Sequence, residues 1–177
     1  MRKIQNDELT RLTVDDFKLS DKMPLVVVLD HVRSSNNVGS VFRTSDAMLV
    51  SKICLCGITA TPPDKEIHKT ALGAENTVEW EYFQTTEEAV EMLRKKGYTI
   101  IAIEQVEESI ALNDYFPSPG EKLALIFGNE VKGVQQEVVN LCDKTIEIPQ
   151  FGTKHSFNIA VSAGIVLWDL FNKLKQP

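Results

Sequence analysis

The stretch Ile126–Val138, IFGNEVKGVQQEV, places Gly128 and Gly133 behind an apolar run. That spacing suits a loop that cradles phosphate. Such a loop, however, needs Lys and then Ser or Thr after its second glycine, to reach phosphate and magnesium. Val134 and Gln135 occupy those places, so the chemistry of a nucleotide triphosphate site is missing. Asn129 and Glu130 must serve something else. Two further stretches are equally polar. Asp30–Thr44, DHVRSSNNVGSVFRT, follows the apolar run Leu25–Leu29 and carries Asn37 and Arg43. Ile148–Asn158, IPQFGTKHSFN, comes at the end of the run Thr145–Ile148 and carries Ser156 and Asn158.

Each of these residues has a plainer role when taken alone. Asn37, Ser156 or Asn158 would serve as a helix N-cap, and Arg43 as a solvated helix residue. Gly128 would mark a turn beside an Asn that tolerates left-handed backbone. The functional reading rests on the three stretches together and on their order.

The elements that must position them alternate along the chain. Leu25–Asp30 (LVVVLD) is a β-branched run, as a strand buried on both faces requires. Behind it, Val38, Val41, Phe42, Ser45 and Leu49 fall near one face of a helix. KICLCG reads as a strand, followed by a Pro62-Pro63 loop and a short helical stretch, EIHKTALGA. VEWEYF is a strand and TTEEAVEMLRKKG a helix, capped by Thr85 or Thr86 and stopped at Gly97. YTIIAIE, KLALIFG and KTIEIP are strands, and NIAVSAGIVLWDLFNKL closes the chain as a helix apolar on nearly every side. Alternation of this kind predicts an α/β domain, a mostly parallel sheet flanked by helices. Ligands in such sheets bind beyond the carboxyl ends of the strands, which is where the three polar stretches fall.

Bulk properties set outer limits. The 177 residues suit one domain with a real core, and 43% apolar with 25% charged residues is a globular composition. No apolar run approaches the ~18 residues of a membrane span, and the N-terminus lacks a signal-peptide core, so a cytoplasmic protein is expected. Three cysteines argue against a disulfide framework. Cys54 and Cys56 alternate on one strand and share a face with no histidine at ligand spacing, which reads as buried thiols and no metal. A net charge of −6 weighs against indiscriminate nucleic-acid binding but leaves room for a local basic patch. Arg33, Arg43, Lys65, His68, Lys69, Lys154 and His155 are its candidates.

Asn37 and Arg43, then GNExxG at Gly128–Gly133, then Ser156-Phe157-Asn158 after Ile-Pro, resemble the three signature motifs of the SpoU (TrmH) family. That family is the ribose 2′-O-methyltransferase branch of the SPOUT superfamily. The resemblance covers roughly residues 25 to 172. It implies a SPOUT-type methyltransferase domain over residues 24–177 behind a short N-terminal extension, residues 1–23. It also implies a C-terminal trefoil knot, which pattern reasoning alone would reject.

In the family, the second and third loops hold S-adenosylmethionine. Gly128, Asn129, Gly133, Ile148 and Phe157 would contact it here, with Glu104 and Gln105 lining the same pocket. The catalytic set would be Arg43, Asn37, Glu130, Ser156 and Asn158, acting on the ribose 2′-hydroxyl of tRNA in preference to rRNA. Guanidinium keeps its proton, with a pKa above ~12. Arg43 is therefore expected to grip an RNA phosphate and stabilise the developing alkoxide, oriented by Glu130. The final helix, Asn158–Lys173, would form a homodimer that brings Arg43 near the partner's cofactor. This chain departs from the family in having Phe157 where Leu is usual. It is also expected to lack the separate N-terminal substrate-binding domain that many relatives carry, which leaves the RNA open. The alternative is a non-catalytic RNA- or cofactor-binding module of the same fold.

Overall fold

The computed structural model describes residues 1–5 and 8–175. Residues 6 and 7 of the expected extension, and 176 and 177 at the end of the expected domain, lie outside the described residues. Seven strands are ordered β3-β2-β1-β6-β4-β7-β5 in one sheet, and every neighbouring pair is parallel. They are β1 (Met23–Asp30), β2 (Val50–Cys56), β3 (Trp80–Phe83), β4 (Thr99–Ile103), β5 (Ile110–Ala111), β6 (Leu123–Phe127) and β7 (Lys144–Glu147). The helices are α1 (Val14–Leu19), α2 (Ser35–Ala47), α3 (Lys65–Ala71), α4 (Thr86–Lys95), α5 (Gln136–Val139) and α6 (Ile159–Lys175).

Side chains alternate across the central strand. Leu25, Val27 and Leu29 pack with Val38, Val41 and Phe42 of α2 and with Ala163, Val166 and Leu170 of α6. Val26 and Val28 pack on the opposite face, with Ala89, Val90 and Leu93 of α4. That double burial is why β1 reads as an unbroken apolar run. Cys54 and Cys56 share the α4 face, and burial pushes the Cys54 thiol up to about 12. They are inert packing groups.

The α4 boundary follows local chemistry. Thr85 Oγ1 accepts the Glu88 N–H, the Glu88 carboxylate accepts the Thr85 N–H, and Gly97 beyond the helix has φ +80°. No local pattern marks β5, α5 or α1, whose Phe17 docks into the α2/α6 core. All three are too short for periodicity to mark. Among the described residues no helix is long and apolar enough to cross a membrane.

Candidate functional site

The strand order sets the ends of β1, β6, β4 and β7 side by side, with Leu29 level with Phe127 and Ile103 level with Ile146. The four loops leaving those ends therefore meet at one edge of the sheet. Three of them enclose a cavity of about 550 Å3. Its wall includes Glu104, Gln105, Gly128, Asn129, Gly133, Ile148 and Phe157, and with them Glu130, Ser156 and Asn158. Asn37 and Arg43 are not in that wall. Asn37 joins the site through hydrogen bonds, whereas Arg43 is exposed on α2.

The loop after β6 is closed by its own asparagine. Asn129 exchanges two backbone hydrogen bonds with Gly133, at 2.9 and 2.8 Å. Its side-chain oxygen accepts the N–H of Val131 (2.9 Å) and Lys132 (3.2 Å), while Nδ2 donates to the His31 carbonyl at 2.8 Å. Gly133 has φ +68°, and a Cβ there would lie 2.1 Å from Glu104 Oε2. A Cβ on Gly128 would lie 2.0 Å from the Gly133 carbonyl carbon. Both glycines are needed because the loop folds tightly on itself, with no phosphate involved. Glu104 secures the loop's exit, accepting the Val134 N–H at 2.9 Å.

Glu130 is the junction between the first two loops. Its carboxylate accepts the N–H of Arg33 (2.9 Å) and Ser34 (3.0 Å) and the Asn37 side-chain amide (3.0 Å). Partial desolvation raises its pKa, but these hydrogen bonds outweigh that and hold the carboxyl below its ordinary value. Asn37 Oδ1 accepts from Asn158 Nδ2 at 3.2 Å, and Asn158 Oδ1 caps α6 through the Ala160 N–H at 2.8 Å. One chain of hydrogen bonds thus runs through all three loops.

Within one chain Glu130 makes no hydrogen bond to Arg43. Both carboxylate oxygens are taken by the turn that opens α2, whereas Arg43 lies eight residues into the helix, ~12 Å along its axis. The cap of α2 is Ser34 rather than Asn37, and the Ser34 hydroxyl oxygen accepts the Asn37 N–H at 3.3 Å. Asn37 is thereby left for Glu130 and Asn158. Ser156 lines the cavity, and Asn158 is the third-loop residue that bonds Asn37.

Sequence reasoning missed the layer beneath. Asp30, fully buried at the end of β1, accepts from Thr86 Oγ1 (2.6 Å), Gln135 N (2.9 Å) and Gln135 Nε2 (2.9 Å). It also meets His31 Nδ1 at 2.9 Å. It therefore pins the far end of the β6 loop to the start of the β1 loop. The one signal was an acid closing an otherwise apolar strand, a position where a free carboxylate would be costly.

Residues 24–168 match the model of the SpoU rRNA Methylase family. The chain belongs to this family. It is 31% identical over 144 residues to a Neisseria meningitidis protein named 23S rRNA (guanosine-2'-O-)-methyltransferase RlmB, covering 81% of this chain and 56% of that one. It is 26% identical over 155 residues to a tRNA (guanosine(18)-2'-O)-methyltransferase of Borreliella burgdorferi, covering 86% of this chain and 68% of that one. A crystal structure of an AdoMet-bound rRNA methyltransferase from Sinorhizobium meliloti superposes with a TM-score of 0.80 at 27% identity, covering 88% of this chain and 59% of that one. The A. aeolicus TrmH/SpoU tRNA modifying enzyme shares the fold, with a TM-score of 0.79 at 24% identity and coverage of 90% and 81%. The chain spans only 56% and 61% of the length of two of its curated relatives.

Proposed function

We propose that this SpoU-family chain is an S-adenosylmethionine-dependent RNA methyltransferase acting on a ribose 2′-hydroxyl. The observation that carries this is the cavity at the ends of β6, β4 and β7, tied to the α2 loop through Glu130, Asn37 and Asn158. Its volume, about 550 Å3, suits a ligand of the cofactor's size. The lining suits the cofactor's charge as well. Glu104, Glu130 and Glu147 stand in the wall against Lys132 and His155, an acidic balance that favours a ligand bearing sulfonium and ammonium groups. Gly128, Asn129, Gly133, Ile148 and Phe157 would hold it, with Glu104 and Gln105 beside them. Bound there, it supplies an electrophilic methyl group.

The chain's own residues then account for the other half of the reaction. Positioning a hydroxyl oxygen for in-line attack removes much of the barrier, and that is the task of the loops fixed by Glu130, Asn37 and Asn158. Ser156, exposed at the cavity wall, is placed to meet cofactor or ribose. Arg43 grips the RNA phosphate and stabilises the developing alkoxide. Arg43 stands outside the cavity of its own subunit, which supports a role in the site of a second copy.

A homodimer through α6 supports that arrangement. Ile159, Ala163, Val166, Leu167 and Leu170 are buried within the chain, yet Val161 and Trp168 are 49% and 58% exposed on the other side. A Cβ on Gly164 would meet nothing within 4 Å, which leaves room for a neighbouring helix. Several further points are part of the same reading: a C-terminal trefoil knot, a catalytic domain over residues 24–177 behind the 1–23 extension, a cytoplasmic location and tRNA in preference to rRNA. An experimental structure traced through residues 123–175 would test the knot. Relatives named for each RNA occur, so mapping ribose methylation in RNA from a strain lacking this protein tests the substrate.

The deciving experiment for catalysis incubates the protein with labelled cofactor and unmodified tRNA and rRNA transcripts. Wild type should add one methyl per site. Arg43→Ala should abolish transfer while leaving cofactor affinity by calorimetry nearly unchanged. Cofactor binding without transfer to any RNA would favour a non-catalytic binding module, and loss of cofactor affinity in Arg43→Ala would refute the role of Arg43.

A further inference from the structure

Beside the cavity lies a second hollow of about 410 Å3, walled by the loop after β7. Phe151 stands on that loop with 97% of its surface exposed, whereas Phe17, Phe42 and Phe127 are buried in the cores. A phenyl ring that gives up burial entirely is one that nothing in its own chain needs. Lys154 and His155 stand in the same wall, and a Cβ on Gly152 would meet nothing within 4 Å, so the loop is open around the ring. The hollow shares Gln105, Glu147, Gln150 and His155 with the larger cavity, so an occupant of one lies directly beside an occupant of the other.

We propose that Phe151 is a stacking platform for the unpaired base of the nucleotide being methylated. The inference rests on the RNA methyltransferase reading above and adds to it that the substrate presents its target base out of a helix. The chemistry of the wall selects the occupant. A base offers a flat face to the ring and N–H donors to Glu147 and the Gln150 carbonyl. A phosphate would be repelled by Glu147, and it has no face for Phe151. Lys154 serves the backbone beside it as a cation, and the His155 imidazole offers it a ring N–H, as in sites that bind single strands. A base stacked there keeps its ribose at the shared wall, beside the cavity proposed for the methyl donor.

The test uses the full chain and the tRNA or rRNA transcript on which wild type places its methyl. Phe151→Ala should raise the KM for that RNA by about 5- to 150-fold. Its affinity for S-adenosylmethionine and its sedimentation mass should not change, and Phe151→Trp should keep the wild-type KM. The same transcript carrying 2-aminopurine at the mapped nucleotide should lose fluorescence on binding wild type and Phe151→Trp but not Phe151→Ala. Unchanged KM and quenching in Phe151→Ala overturn the inference. So does a loss of cofactor affinity or of mass in that variant, which would assign the ring to the cofactor's adenine or to a second copy. A wild-type chain that methylates no RNA overturns the underlying reading instead.

Discussion

Replacing Glu130 by Ala removes the acceptor for three donors: Arg33 N–H, Ser34 N–H and the Asn37 amide. Hydrogen bonds to a charged acceptor contribute about 1.5–3 kcal/mol each where water is excluded. Glu130 is exposed, so water can replace much of each, and about 0.5–1 kcal/mol apiece is the appropriate scale. The loss is then ~1.5–3 kcal/mol, which for a chain of this size lowers Tm by about 3–12 °C. Glu130→Gln should fall between. Its oxygen can keep Ser34 and Asn37, which share Oε1, but its amide then faces the Arg33 N–H, donor against donor. Differential scanning calorimetry reads the stability, and amide hydrogen exchange at Arg33 and Ser34 reads the junction directly. The effect also has a pH sign. The folded-state pKa lies below the ordinary 4.5, so the stabilisation is fully present above that value and is lost as pH falls through the folded-state value. The gap between wild type and Glu130→Ala should therefore close on the acid side. Wild-type melting at neutral pH with unchanged exchange at both amides would refute the junction.

Gly128→Ala drives a Cβ to 2.0 Å from backbone carbon, which no side-chain rotation relieves, so the β6 loop must open. Calorimetry should show cofactor binding at least about 10-fold weaker, and wild-type affinity would contradict the tight loop. Asp30→Ala leaves the buried Thr86 hydroxyl and the half-buried Gln135 N–H without their acceptor and should cost about 2–5 kcal/mol in urea unfolding. A loss under 1 kcal/mol would mean that other groups or water already satisfy those donors. Trp168→Glu puts a charge on the exposed face of α6 and should give a monomer by sedimentation, with methyl transfer lost alongside. An active monomer would remove both the interface and the shared site.

The sequence by itself determined the class of the sheet and the loops that matter. Doubly buried runs such as Leu25–Asp30, the Thr85 and Glu88 capping box and the glycine stop at Gly97 are local patterns, set by side-chain period and backbone freedom within a few residues. The GNExxG and Ser-Phe-Asn stretches were legible for the same reason, since a tight loop and a helix cap require particular residue types in place. What Glu130 touches was not legible. Its partners lie 93 to 97 residues away in sequence, and only the pairing of β1 with β6 brings them within 3.0 Å. The same pairing turned a lone acid, Asp30, into an anchor for Gln135. That Phe151 would stand exposed was equally beyond the sequence, because it lies in the loop past β7, whose packing only the whole fold decides. Hydrogen bonds act over about 3 Å and so depend on register, which is decided by the packing of the whole sheet.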